Sequence, residues 1–272
     1  MIRNEISDGV KLHKTSIPDV IVCKLDKSYF RTPKEIFIVN SYIKPANTSS
    51  KGSDVSGSDI LNDLDSLING LLGKGSVILC GDFNARIGLD IDFIKNDQCG
   101  ADSFVPLPDD YIPQDLPNRN SQDKNANSYK RPFLEVLINN KLHILNGRTL
   151  GDSKGEFTCV QVGGASVVDY FIVSPDCSQF ICHMTVKPLT YFSDHRPLIL
   201  TLNFSPAPST NIDNRQLHEL YGKAPLRYKI PPHSQCNIQK SMEKEVYLER
   251  ASDILKIEWG MTIKVHTNLT IS

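Results

Sequence analysis

Several features that would narrow a protein's role at a glance are missing from this chain of 272 residues. No apolar run is long enough to cross a bilayer, which excludes a helical membrane span. The first ten residues, MIRNEISDGV, hold no apolar core of the kind a secretory signal needs, so a secreted protein is not expected. Neither sign of charge dominates. The formal net charge is -1, so any nucleic-acid partner must meet a local basic patch rather than a global field. There is no C-x-x-C pair, and the seven cysteines are odd in number. That argues against a disulfide framework or a zinc site read from spacing, and for reduced thiols in the cytosol or nucleus. No internal repeat is present. Three glycosylation-type triplets begin at Asn47, Asn203 and Asn268, and without a secretory signal they carry no meaning.

What the chain does have is a globular composition, 40% hydrophobic, enough for one large domain or one domain with a tail. Residues 17–30 and 35–43 read as strands, the second stopped by Pro45. A polar Ser- and Gly-rich loop follows over 46–57. Then the apolar period changes: Ile60, Leu64, Leu67, Ile68, Leu71 and Leu72 share one helical face, with Ser58 or Asp59 to cap it and Gly73 or Gly75 to end it. Residues 77–80 form a buried strand. Residues 89–118 are loop-like, Pro132 opens a short amphipathic helix, and 142–146 is a strand. Further strands are expected over 155–162, 166–174, 183–189 and 197–204. From 205 the composition becomes that of a linker, and 241–259 has the pattern of an amphipathic helix. The expected organisation is a domain over 1–204 and a linker or tail over 205–272. Strand–helix–strand order makes the fold mixed α/β.

Four short segments share one design, an apolar strand with polar residues just past it or at its edge. NSYIKP (40–45), GDFNARIG (81–88), SVVDYFIVS (166–174) and YFSDHRPLIL (191–200) supply Tyr42, Asp82, Asn84, Asp169, Asp194 and His195. Taken singly, each has an ordinary explanation. Asp82 with Asn84, and Ser193 with Asp194, are good turn formers. Tyr42 fits a half-buried strand, and a lone histidine is more often structural than catalytic. Asp169 stands apart, because a carboxylate inside an apolar strand is costly unless paired. Taken together they are an inventory for metal-assisted cleavage of a phosphate ester. A hard cation such as Mg²⁺ takes carboxylates and keeps water. An amide and a phenol can hydrogen-bond phosphate oxygens. A histidine oriented by an acid can move a proton or stabilise developing charge.

In their order along the chain, GDFNARIG, LNGRTLGDSKGEFTCV, SVVDYFIVS and SDHRPL resemble segments of the endonuclease/exonuclease/phosphatase superfamily, the DNase-I-like fold. The closest likeness is to the endonuclease domain of LINE-type (non-LTR) retrotransposons, and it runs from residue 1 to about 204. The resemblance implies a four-layer α/β/β/α sandwich of two packed mixed sheets, here without the fold's first strands. It implies that Asp82 orients or deprotonates the attacking water and that Asn84 binds the scissile phosphate. Asp194 would help hold the metal, and His195 would contact the phosphate or transfer a proton. Asp169 would fix the His195 ring, and Tyr42 would contact phosphate. Arg119, Asp123 and Asn127 match an R-x-S-x-D-x-x-x-N segment of the retrotransposon subgroup, which makes Asn127, Arg119 and Arg86 substrate-binding candidates. Where that subgroup has a glycine shortly after the Asn, this chain has Lys130-Arg131-Pro132.

The activity implied is Mg²⁺- or Mn²⁺-dependent nicking of DNA, by a domain once fused to a reverse transcriptase. The implied setting is nuclear or cytoplasmic, as a monomer and away from membranes. The superfamily's early Asn and Glu motifs have no counterpart here, which implies a truncated copy with a weakly bound metal and little activity. The alternatives are a phosphatase of the same superfamily, or a non-catalytic remnant that binds DNA or protein. Lys44, Arg86, Arg119, Lys130, Arg131 and Arg148 are candidate phosphate contacts, each also explicable as a solvated surface charge.

Overall fold

The computed structural model describes residues 2–45, 57–94, 116–204 and 262–267. The chain divides into a unit of Met1–Pro208 with Gly260–Ser272, and a second of Ser209–Trp259. The second unit, with the amphipathic helix expected over 241–259, lies outside the described residues.

The elements in order are β1 (Val10–His13), β2 (Val20–Leu25), α1 (Lys27–Phe30), β3 (Glu35–Tyr42), α2 (Gly57–Leu72), β4 (Gly75–Asp82), α3 (Lys130–Asn139), β5 (His143–Ile144), β6 (Cys159–Gln161), β7 (Gly164–Ser166), β8 (Asp169–Val173), β9 (Ile181–Val186), β10 (Leu198–Phe204) and β11 (Thr262–Thr267). A six-stranded sheet runs β1-β2-β3-β4-β8-β5, and a three-stranded one runs β11-β10-β9. β6 and β7 form a separate hairpin. β3 and β4 are parallel because α2 carries the chain back between them. The other pairs of the large sheet are antiparallel.

The alternation of side chains along each strand decides the layering. In β4, Val77 and Leu79 join a core with Ile60, Leu64 and Ile68 of α2 and with Phe133 and Leu137 of α3. Ile78 and Cys80 join a second core with Met184 and Val186 of β9 and with Leu198, Leu200 and Leu202 of β10. β8 divides the same way: Tyr170 and Ile172 face the helices, Phe171 and Val173 the small sheet. A strand sandwiched on both faces must be apolar throughout, which is why Val77–Cys80 is an unbroken apolar run. The fold class is therefore the expected one of two packed sheets with helices outside. The described residues supply α2 and α3, the large sheet and the small sheet, in that order.

The boundaries differ from expectation where polar side chains intervene. Residues 27–30 are a helical turn rather than strand, because Asp26 caps them by accepting hydrogen bonds from the N–H groups of Ser28 (2.9 Å) and Tyr29 (3.0 Å). β5 is only two residues long because Asn146 replaces its next rung. Its side chain accepts from the N–H of Phe171 at 3.1 Å and donates to the carbonyl of Asp169 at 3.1 Å. Within the stretch read as tail, β11 pairs in parallel with β10 from Ile199↔Thr262 to Phe204↔Thr267. The five described cysteines, Cys23, Cys80, Cys159, Cys177 and Cys182, are free thiols.

Candidate active site

The site lies where three strands of the large sheet end together. Tyr42 of β3 is in register with Asp82 of β4, and Asp82 with Asp169 of β8. Asp82 and Asp169 keep the parity of Ile78, Cys80, Phe171 and Val173, so both carboxylates lie on the face that meets the small sheet. The loop from β9 to β10 brings His195 to the same point.

His195 Nδ1 lies 2.9 and 3.1 Å from the two carboxylate oxygens of Asp169. Its Nε2 faces Asp82 Oδ2 at 4.0 Å. The imidazole therefore stands between two acids, close to one and short of contact with the other. Hydrogen bonding to Asp169 pushes the His195 pKa up to about 9, against the opposing pull of burial. Burial, and then the like charge of Asp169, raise Asp82 to about 6.

The local backbone explains how Asp82 is held. Gly81, with φ +138°, comes so near β3 that a Cβ there would lie 1.8 Å from the Ser41 carbonyl oxygen, so only glycine fits before Asp82. Beyond it, Asn84 sits at φ +48°, a left-handed conformation that asparagine tolerates. Its N–H donates to Asp82 Oδ1 at 2.9 Å. Its side-chain amide donates to the carbonyl of Ile43 (2.8 Å) and to Asp82 Oδ2 (3.2 Å). Both amide hydrogens are thus engaged. In this geometry Asn84, the residue expected to bind phosphate, positions Asp82.

The three residues expected to bind substrate, Arg119, Arg86 and Asn127, are each engaged within the fold. Arg119 is 3% exposed, and its guanidinium donates to the carbonyls of Asp90 (3.2 Å) and Gly88. Arg86 makes a two-pronged pair with buried Asp123, at 2.8 Å through Nε and 2.7 Å through Nη2. Asn127 accepts from the N–H groups of Arg86 (3.1 Å) and Tyr129 (3.2 Å) and donates to the carbonyl of Asn84 (2.7 Å). These three residues brace the turn after β4 from behind. Of the other cations, Arg148 is buried against Asp92, while Lys130 and Arg131 sit in surface pairs with Asp90 and Glu135. Lys44 is exposed at the end of β3, two residues past half-exposed Tyr42.

Asp194 is next to His195 but points elsewhere. Its carboxylate accepts from Gln161 Nε2 at 2.6 Å, which holds its pKa below the usual range. It groups with Cys159 and His195, whereas Asp82, Asp169 and His195 form a second group able to hold a metal ion.

Three residues that the sequence gave no reason to choose hold the site in place. Thr158, fully buried, accepts from the N–H groups of Val168 and Asp169, both at 3.1 Å. Asn146 holds the Asp169 carbonyl from the other side. Arg196 pins the His195 loop by donating to the carbonyls of Lys187 (2.7 Å) and Phe157 (3.0 Å) and to Glu156 Oε2 (2.7 Å). Its place directly after His195 was the only available signal.

Neither a protein-family model nor a curated protein matches the chain. Among solved structures it is similar to a 3′ phosphatase from Neisseria, NExo, bound to a product DNA hairpin. The two are 14% identical, over 71% of this chain and 70% of that one, with a TM-score of 0.45. It is similar to the endonuclease domain of TRAS1, a telomere-specific non-LTR retrotransposon, at 16% identity over 70% of this chain and 65% of that one, TM-score 0.43. It is also similar to the catalytic domain of Xenopus laevis APE2, at 15% identity over 61% and 48%, TM-score 0.39. Identities this low leave the chemistry to be read from the site itself.

Proposed function

We propose that this site hydrolyses phosphodiester bonds in DNA, as a nicking endonuclease of the retrotransposon type. The observation that carries the reading is His195, hydrogen-bonded to Asp169 on one nitrogen and facing Asp82 with the other.

At neutral pH the imidazole is protonated, since Asp169 raises its pKa to about 9. Its Nε2–H then points into the gap before Asp82, where it can stabilise charge developing on a phosphate oxygen or give a proton to the leaving group. Asp82, raised to about 6, is ionised there yet basic enough to orient and deprotonate a water. Asn84 keeps that carboxylate in place, and the register of Tyr42 with Asp82 supports a phosphate contact by Tyr42.

Two carboxylates and one imidazolium leave the pocket with one net negative charge, and a phosphodiester adds another. The donor set therefore fits a hard divalent cation, for which Asp82 and Asp169 would be the oxygen ligands. Mg²⁺ or Mn²⁺ bound there would neutralise the phosphate and polarise it. Because Asp169 is engaged with His195 and Asp82 with Asn84, the protein offers few free oxygens, and the cation would be held weakly.

Supercoiled plasmid with Mg²⁺ tests the proposal. The wild-type chain converts it to the nicked circle, and Asp82→Ala or His195→Ala lowers the rate by about 10²–10⁴-fold, the usual worth of a general acid or base. Nicking unaffected by either substitution, or no nicking with any divalent cation, overturns it.

A further inference from the structure

Cysteine spacing alone excluded a zinc site, but the fold brings one cysteine to the edge of the active site. The stretch ending in His195 lies along β6 through a Cys159↔His195 bridge. Val160 N–H donates to the carbonyl of Asp194 (2.8 Å), and Arg196 N–H to that of Thr158 (2.7 Å). These bonds fix Cys159, Asp194 and His195 side by side, and their Sγ, carboxylate oxygen and ring nitrogen lie within 4.8 Å of one another. Cys159 is buried and Asp194 exposed, so the group forms a ledge open on one side.

The two metal-ligating groups share His195 and differ in hardness. Asp82, Asp169 and His195 offer mostly oxygen. Cys159, Asp194 and His195 offer one sulfur, one oxygen and one nitrogen. A soft thiolate does little for Mg²⁺, whereas sulfur and imidazole are the preferred ligands of Zn²⁺ and its neighbours in the first transition row. Gln161 donates to one oxygen of Asp194, Oδ2.

We propose that Cys159, Asp194 and His195 form a second, inhibitory metal site that takes Zn²⁺ or a similar borderline-soft divalent cation. Coordination releases the Cys159 thiol proton to solvent and ties up a nitrogen of His195. A Zn²⁺ ion there removes the imidazolium that faces Asp82. The binding half stands on the geometry alone; the inhibitory half rests on the role of His195 proposed above.

Cobalt, a spectroscopic substitute for zinc, separates the two halves. Adding Co²⁺ to the metal-free chain should produce a near-ultraviolet thiolate-to-cobalt band. Cys159→Ser should abolish the band and weaken Co²⁺ binding by at least about tenfold, the low end of what losing even an outer-shell partner costs. Asp82→Ala should leave the band in place. Cys159→Ala repeats the test should serine disturb the fold. In plasmid nicking with Mg²⁺, added Zn²⁺ should inhibit the wild type several-fold more strongly than Cys159→Ser. No band in the wild type, or one that survives loss of Cys159, overturns the site even if the chain nicks DNA. Equal Zn²⁺ inhibition of both chains overturns its inhibitory role. A chain that never nicks but shows the Cys159-dependent band keeps the metal site and loses the nuclease reading.

Discussion

Two acid–base constellations flank the end of β4, and they are built to opposite rules. Behind the turn, Asp123 is closed. It receives both prongs of Arg86 and the N–H groups of Asn125 (3.0 Å) and Val167 (3.1 Å). Burial alone would raise its pKa, but those bonds outweigh it and hold the carboxyl below the usual range. In front of the turn, Asp82 is open. Among the described residues it accepts only from Asn84, faces the like charge of Asp169, and stops 4.0 Å short of His195. A satisfied network makes the fold rigid. An unsatisfied one leaves a carboxylate and a proton donor with a gap that a ligand can fill.

Removing the closed constellation should cost the most stability. Asp123→Ala leaves Arg86 without its partner and two backbone N–H groups without acceptors. It should lower unfolding free energy by about 3 kcal/mol, the low end for breaking a buried pair because Arg86 is partly exposed. Urea denaturation checks this; a midpoint within error of the wild type would erase the contrast between the two regions.

The open constellation should respond with the opposite sign. A carboxyl whose folded pKa lies above its unfolded value favours the fold when protonated, and that stability is lost as pH rises through the folded value. For Asp82 the loss falls between about 4 and about 6. In chelator at pH 7, Asp82→Asn should therefore stabilise the chain by about 1 kcal/mol, discounted for partial exposure. At pH 4 the gain should vanish. Parallel denaturation curves at the two pH values decide it, and a loss of stability at pH 7 would mean that Asp82 is as well satisfied as Asp123.

The third effect is smaller. Below about 6.5 the His195–Asp169 bond contributes fully, and its contribution fades as pH climbs through about 9. The wild type should lose up to about 1 kcal/mol across that window, with a partly exposed ring limiting the size. His195→Gln should flatten the slope. An imidazole NMR titration with a midpoint near 6.5 would show that Asp169 does not hold the ring.

Smallest of all, the exposed pair of Lys34 with Asp176 should be dispensable, although its 2.7 Å contact is as short as that of Arg86 with Asp123. Lys34→Ala should leave the urea midpoint unchanged, because water already solvates both charges. A shift like that of Asp123→Ala would refute burial as the property that separates the pairs.

Much of the site was legible in the chain. A carboxylate inside SVVDYFIV needed a partner, and His195 is that partner. The apolar run ending at Gly81-Asp82 marked a strand buried on both faces. A sequence shows an arginine's charge but not its burial: Arg86, Arg119 and Arg148 look like surface cations, and each is engaged by internal carboxylates or carbonyls. Thr158 and Asn146 were invisible, since their function is to satisfy backbone groups of a strand distant in sequence.

By itself the sequence determined most of the central elements, the alternation that sends each strand residue to one core or the other, and the identities of the acids and the imidazole that meet. Those follow from local periodicity and from the cost of burying an unpaired charge. Which groups are saturated and which stay reactive was decided only in three dimensions. Hydrogen-bond supply depends on what approaches from elsewhere in the chain: Arg86 reaches Asp123, His195 stops 4.0 Å short of Asp82, and Cys159 comes to rest beside His195.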